Sequence, residues 1–156
     1  MVVIVSQPEI LELSSELLSD ASYLLVNYIY PNDDWGTSHQ EECKQNLRRL
    51  LDFKNAELLM ARAGDDFVGF IALNWGFSTT KGLPFLRIQD LYVLPQYRKK
   101  GIAKLLMNKA IEIAKQNNSN RIQLNTGSLN TNARNLYEAL GFEWQPDKEI
   151  YMYFLN

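Results

Sequence analysis

Arg98-Lys99-Lys100-Gly101, with Lys104 one turn further on, is the stretch of this 156-residue chain whose residue types point most directly to chemistry. It follows the apolar run D-L-Y-V-L and Pro95, and it precedes I-A-K-L-L, which opens a helical pattern. A helix N-terminus leaves backbone N–H groups without intrahelical partners and carries partial positive charge, so it is a ready anion site. Four cations around such a point suggest a ligand with phosphates, although a solvated basic loop would read the same way. The formal net charge of −2 excludes a general nucleic-acid binder, which is basic overall, and sets this cluster against the global sign.

Other chemistries find little material. With one histidine, His39, and one cysteine, Cys43, no His/Cys zinc cluster can be assembled and no internal disulfide can form; no metal site is expected. Cys43 lies in a helical pattern among Glu41, Glu42 and Lys44, where an inert thiol is the expectation. The start M-V-V-I-V-S-Q-P lacks a basic n-region, and no apolar run approaches the ~20 residues of a membrane span, so a cytoplasmic protein is expected. The length fits one domain, residues 1–156, without linker or repeat.

The elements that would position the basic loop can be read in order. Val2–Val5 reads as a first strand, and the spacing of Ile10, Leu13, Leu17, Leu18, Ala21, Leu24, Leu25 and Tyr28 predicts a helix from Glu9 to about Tyr30. Pro31-Asn32-Asp33-Asp34 ends it, and Thr37 or Ser38 can cap a second helix through about Leu51. Asp33 and Asp34 beside Trp35 read either as an exposed turn or as a cation-attracting rim for an amine, with Glu41 and Glu42 nearby. Ala56–Ala63 and Phe67–Trp75 flank a Gly64 turn and predict a hairpin, and Gly76–Gly82 reads as a polar connection. Apolar positions then fall on Leu86 and Ile88, but on Leu91 and Val93 beyond. That change of parity requires one extra residue, a β-bulge, which would leave strand backbone groups for an extended ligand. A helix that starts after Gly101 and is ended by Asn117-Asn118 and a strand Arg121–Asn125 complete a βαβ unit, with the two strands parallel. Asn130 can cap a helix to Leu140 with Gly141 as its stop, and Phe142–Trp144 with Ile150–Leu155 reads as a closing hairpin.

Two of these segments resemble a known family. R-K-K-G-I-A (Arg98–Ala103) matches the Q/R-x-x-G-x-G/A signature of the GCN5-related N-acetyltransferases, and it follows a D-L-Y-V strand as it does there. N-T-N-A-R-N-L-Y-E-A-L-G-F (Asn130–Phe142) matches that family's N-x-x-A-x-x-x-Y-x-x-x-G-F segment. Either match alone is weak; both in order on a β-α-β-α frame are specific. The wording of these segments and of the terminal Y-M-Y-F-L looks most like the branch of polyamine and other small-amine acetyltransferases.

The resemblance implies an α/β (α+β) fold: a mixed, mostly antiparallel sheet with one splayed parallel pair, flanked by about four helices. It implies direct transfer of an acetyl group from acetyl-CoA, as co-substrate, to a primary amine. By position, the CoA pyrophosphate would rest on backbone N–H groups of Arg98, Lys99, Lys100, Gly101, Ile102, Ala103 and Lys104. The pantetheine arm would pair with Leu91, Tyr92 and Val93, and Asn130 would bond its amides. Tyr137 would be the general acid that protonates the leaving thiolate, and a free N–H near Val93 would face the oxyanion. Several relatives carry a glutamate base where this chain has Gln89, which cannot act as one. Asp90 is then the first candidate, provided the bulge turns it to the substrate face; Asp33, Asp34 or Glu41 acting through water, or no side chain at all, are the alternatives.

The acceptor is left open. A small amine drawn by Asp33, Asp34 and Trp35 is the first reading. A peptide or protein acetyltransferase of the same fold is the second, and a non-catalytic acyl-CoA-binding module, suggested by Gln89, is the third. No nucleic acid or membrane is expected as partner. Tyr151, Tyr153 and Leu155, with Trp35 and Trp144, read equally as a contact surface for a homodimer or as core.

Overall fold

The computed structural model describes residues 7–32 and 34–155. The Val2–Val5 strand expected from the sequence lies outside them. The chain divides into two compact units, Met1–Asn125 and Thr126–Asn156.

The first unit is built on a five-stranded sheet in the order β1-β2-β3-β4-β5. Its elements are β1 (Glu9–Glu12), α1 (Leu18–Ile29), α2 (Thr37–Asp52), β2 (Ala56–Ala63), β3 (Asp66–Ser78), β4 (Leu83–Val93), α3 (Ile102–Gln116) and β5 (Ile122–Leu124). Neighbours are antiparallel except β4 and β5, which are parallel, as the βαβ reading requires. Gly64, at φ +63°, turns the β2–β3 hairpin.

Glu9–Glu12 departs from the sequence reading, being a strand where helical spacing predicted a helix. Edge pairing with β2 overrides the local pattern: Glu9 lies opposite Arg62, Ile10 opposite Ala61, and Arg62 bonds the Glu9 carboxylate at 2.6 Å. Helical spacing is a weak guide over four residues when a sheet edge can take up their N–H and C=O groups. Gly76–Ser78 likewise continues β3 and is not a connection, because Gly76 lies under the Phe85 ring. A Cβ there would come within 2.3 Å of that ring.

Alternation sorts the sheet into two apolar faces. Leu58, Met60, Phe70, Ala72 and Tyr92 pack with Leu18, Ala21 and Leu24 of α1 and Leu47 of α2. Strand residues of the other parity, including Leu59, Ile71, Leu73, Leu86 and Ile88, are buried on the face that α3 covers with Leu106, Met107 and Ala110. Cys43 of α2 is buried; burial first, and then Glu42, push its thiol upward, which fits the inert thiol expected.

The second unit holds α4 (Thr131–Ala139). Asn130 Oδ1 accepts from the Ala133 N–H at 3.3 Å, the expected cap. Gly141, at φ +96°, ends the helix as the Phe142 N–H reaches the Tyr137 carbonyl at 3.0 Å. The closing hairpin is not formed, since Phe142–Leu155 contains no strand. Its turn exists, with Lys148 N–H to Gln145 O at 3.2 Å, but the flanking runs do not pair. One run is only three residues long and Pro146 offers no N–H, and a two-stranded ribbon alone is marginal in water.

Gly69 of β3 lies opposite Val93 at the end of β4, and a Cβ there would stand 2.6 Å from the Tyr92 carbonyl oxygen. Backbone cannot give way as a side-chain tip can. Gly69→Ala is therefore expected to destabilise the protein by about 1–3 kcal/mol, read as a lower urea midpoint with unchanged slope.

Candidate active site

The site is built on β4, where the β3 register slips by one residue. Ile88 pairs with Leu73 and Asp90 with Ala72, so Gln89 is the extra residue that the change of parity called for. The bulge decides which way the polar side chains face. Gln89 Oε1 accepts from Asn74 Nδ2 at 3.3 Å. Asn74 shares parity with Phe70 and Ala72, so this is the face covered by α1 and α2. Asp90 reaches the same face, because its Oδ1 accepts from the Tyr28 hydroxyl of α1 at 2.9 Å. The bulge thus turns Asp90 to the same face as Gln89. Tyr28, whose ring meets Tyr92 at 5.5 Å and Phe70 at 5.7 Å, is a polar neighbour that sequence reasoning assigned only to an apolar helix face.

On its other edge β4 is joined to β5 through Leu86, Arg87 and Ile88 alone. The parallel ladder stops there while β4 runs on to Val93, so the two strands cease to pair beside Leu91 and Val93. An opening of this kind admits an extended ligand that pairs with the strand edge.

Past Val93 the chain makes a short 3-10 turn, Pro95–Tyr97, and enters the basic loop. Lys99 has φ +62° and Gly101 φ +82°, so two of the three residues before α3 are left-handed. A non-glycine residue in that region is uncommon and marks a conformation the surroundings impose. Alternating hands along a loop aim successive N–H groups inward as an anion-binding concavity, and this one is continuous with the α3 N-terminus. Gly101 is needed for its φ, and a Cβ there would meet open space. The cations do not all act alike. Arg98 Nε donates to the Val93 carbonyl at 2.8 Å with its guanidinium over the Tyr92 ring, tying the loop to the strand end. Lys100 Nζ lies over the Tyr97 ring, while Lys99 and Lys104 are exposed. Ile102 is buried, so only its backbone can serve a ligand.

The remaining candidates are placed as follows. Asp33 lies outside the described residues. Asp34 is exposed, and Trp35 packs edge-on to Tyr23 at 6.0 Å. Glu41 is engaged along α2, accepting from Gln45 at 3.1 Å and lying 3.7 Å from Arg48. In the second unit Asn130 caps α4 and Tyr137 lies on it, seven residues further on. Tyr137 packs with Phe142, and burial pushes its phenol above the ordinary tyrosine value, so it is protonated at neutral pH. Among the described residues no group of three or more His, Cys, Asp or Glu could hold a metal. No described helix is long and apolar enough to cross a membrane.

The basic loop with two left-handed residues lies between a bulged strand, which outruns its parallel neighbour, and a helix, and its sequence falls within a known family. Residues 24–142 match the acetyltransferase (GNAT) family. The chain belongs to that family and is an acyltransferase. It is 33% identical over 110 residues to the uncharacterized N-acetyltransferase YhfO of Bacillus subtilis (strain 168), covering 70% of this chain and 72% of that one. It is 29% identical over 98 residues to the thialysine N-epsilon-acetyltransferase of Caenorhabditis elegans, covering 63% of this chain and 61% of that one. Its fold is similar to that of an aminoglycoside N-acetyltransferase crystallised with CoA, with TM-score 0.79 at 19% identity, covering 99% and 98% of the two chains.

A cavity of about 400 Å³ lies away from this loop, at the C-terminal end of α3, lined by Glu12, Glu57, Trp75, Lys109 and Asn117 among others. Burial first, then the nearby Glu12, raise Glu57 above the usual glutamate value, against a hydrogen bond from Trp75. A carboxylate whose folded value is raised favours the folded state when protonated. That stability is lost as pH rises from the unfolded value of about 4.3 through the folded one. Glu57→Gln is expected to raise the melting temperature at pH 7 but not at a pH below both values, measured by thermal melts across pH.

Proposed function

We propose that this protein transfers the acetyl group of acetyl-CoA directly to the primary amine of a small, polyamine-like substrate. The observation that carries the reading is the left-handed pair Lys99 and Gly101 opening α3 at the end of the bulged strand. In this reading the backbone N–H groups of Arg98–Lys104 hold the pyrophosphate, and Leu91, Tyr92 and Val93 pair with pantetheine. Asn130 bonds a pantetheine amide through its Nδ2, since its Oδ1 caps α4. We read 1–156 as one acetyltransferase domain, in keeping with a family match that spans both units.

The amine arrives as an ammonium, because a lysine-like group has a pKa near ~10.4. Asp90 takes one proton, directly or through a water, and the freed nitrogen attacks the thioester carbonyl. As the tetrahedral intermediate collapses, the C–S bond breaks and the nitrogen loses a second proton. Tyr137 delivers a proton to the departing sulfur and regains one from the nitrogen through solvent, so CoA leaves as the thiol. The other proton passes from Asp90 to water. Asp33, Asp34 and Trp35 supply the cation-attracting rim. The thialysine-acetylating relative supports an amine on a flexible aliphatic arm as acceptor.

A peptide acceptor is favoured by one finding, a 35% identity over 91 residues to an N-alpha-acetyltransferase of Saccharolobus solfataricus, covering 54% of each chain. Rates on diamines and lysine-like amines against rates on short peptides separate the two readings, with the small amines expected to be faster. Tyr137→Phe is expected to lower kcat by ~10²–10⁴-fold with acetyl-CoA affinity unchanged. An unaltered rate would remove Tyr137 as the acid, and CoA binding without turnover on any amine would leave a binding module.

A further inference from the structure

The hydrogen bond from Tyr28 to Asp90 spans 62 residues of sequence and joins the last turn of α1 to the bulge of β4. Both groups are solvent-accessible, with Tyr28 38% exposed and Asp90 half-buried, so neither needs the other for want of water. Side chains in such a position ordinarily keep several rotamers, and a bond between them is informative when one partner is already fixed. Tyr28 is fixed. Its ring is edge-on to Phe70 and tilted against Tyr92, and both of those rings are buried in the core beneath α1. The hydroxyl is thereby a pre-set donor that meets Asp90 Oδ1, and among the described residues Oδ2 makes no hydrogen bond.

We infer that Tyr28 is a positioning residue for Asp90, holding one carboxylate oxygen so that the other is presented to the acceptor amine. The inference rests on the proposed function and deepens it. The bulge at Gln89 brings Asp90 to the face covered by α1, and Tyr28 then selects one orientation there. Asp90 thus reaches the amine with its rotamer already chosen, and an ordered acceptor of protons needs less reorganisation at the moment of attack. The same link couples Asp90 to the segment after α1, where Asp34 and Trp35 stand, because Tyr28 lies one residue before the end of that helix.

Tyr28→Phe keeps the ring and its packing and removes the hydroxyl alone. With a diamine that the wild-type protein acetylates, the variant is expected to lose about tenfold in kcat, the scale of one hydrogen bond to a charged group. The KM for acetyl-CoA and the melting temperature should stay at their wild-type values. In an Asp90→Asn background the same change is expected to have no further effect, since the group it positions is gone. Wild-type kinetics in Tyr28→Phe would overturn the inference, as would a shift in melting temperature alone, which is what a mere staple between α1 and β4 would give. An equal loss with and without Asp90 would overturn it too, because Tyr28 would then act independently. Failure of the proposed function looks different: the wild-type protein itself would acetylate no amine, whereas an active wild type with a full-rate Asp90→Asn would remove Asp90 as the base and Tyr28 with it.

Discussion

The β3–β4 ladder must accommodate one residue more in β4 than in β3, and the geometry of the candidate site follows from where that residue is placed. Gln89 takes the slip between the Leu73–Ile88 and Ala72–Asp90 pairs. Before it, Leu86 and Ile88 fill the core under α3; after it, Tyr92 fills the core under α1 and α2. A strand without the slip would place either its early or its late apolar residues on the wrong face, since a shift of one reverses every side chain. The same slip turns both Gln89 and Asp90 toward α1. One irregularity thus meets the requirement of core packing and, in the proposed function, also brings the base to the acceptor; bulges tend to be found next to active sites.

The second constraint is where the sheet stops. β5 contributes three paired residues, and β4 outruns it by five. Unpaired strand edges are ordinarily a liability, open to association with another chain. Here the edge leads directly into the left-handed loop and the α3 N-terminus, which in the proposed function serve in series as a strand edge for pantetheine and a seat for the pyrophosphate. Arg98 maintains that continuity by donating to the Val93 carbonyl at the junction. A cation in a basic motif therefore serves the loop's shape as well as its charge.

Much of this was legible because it rests on residue types with few alternatives. The change of parity from Ile88 to Leu91 forced an extra residue, Gly101 before an amphipathic run marked the start of α3, and Asn130 and Gly141 marked the ends of α4. What was misread depended on partners distant in sequence. Glu9–Glu12 has helical spacing, yet it pairs with β2 across some fifty intervening residues, and Arg62 secures it from the far strand. Phe142–Trp144 and Ile150–Leu155 alternate like strands, but alternation supplies no partner, and Tyr151 and Tyr153 are left 92% and 91% exposed. Tyr28 escaped notice for a related reason. On its helix it is one more aromatic at apolar spacing, and only the fold brings its hydroxyl to a carboxylate on β4.

The proposed function depends most on the loop before α3 holding a pyrophosphate through backbone geometry that Gly101 makes accessible. Calorimetric titration of CoA and of pantetheine, which lacks the pyrophosphate, into the wild-type protein and a Gly101→Val variant tests this directly. The wild type should bind CoA far more tightly than pantetheine. The variant, with a β-branched residue at φ +82°, should lose most of that difference while binding pantetheine as before. Equal affinities for the two ligands in the wild type, or an undiminished preference in the variant, would contradict it.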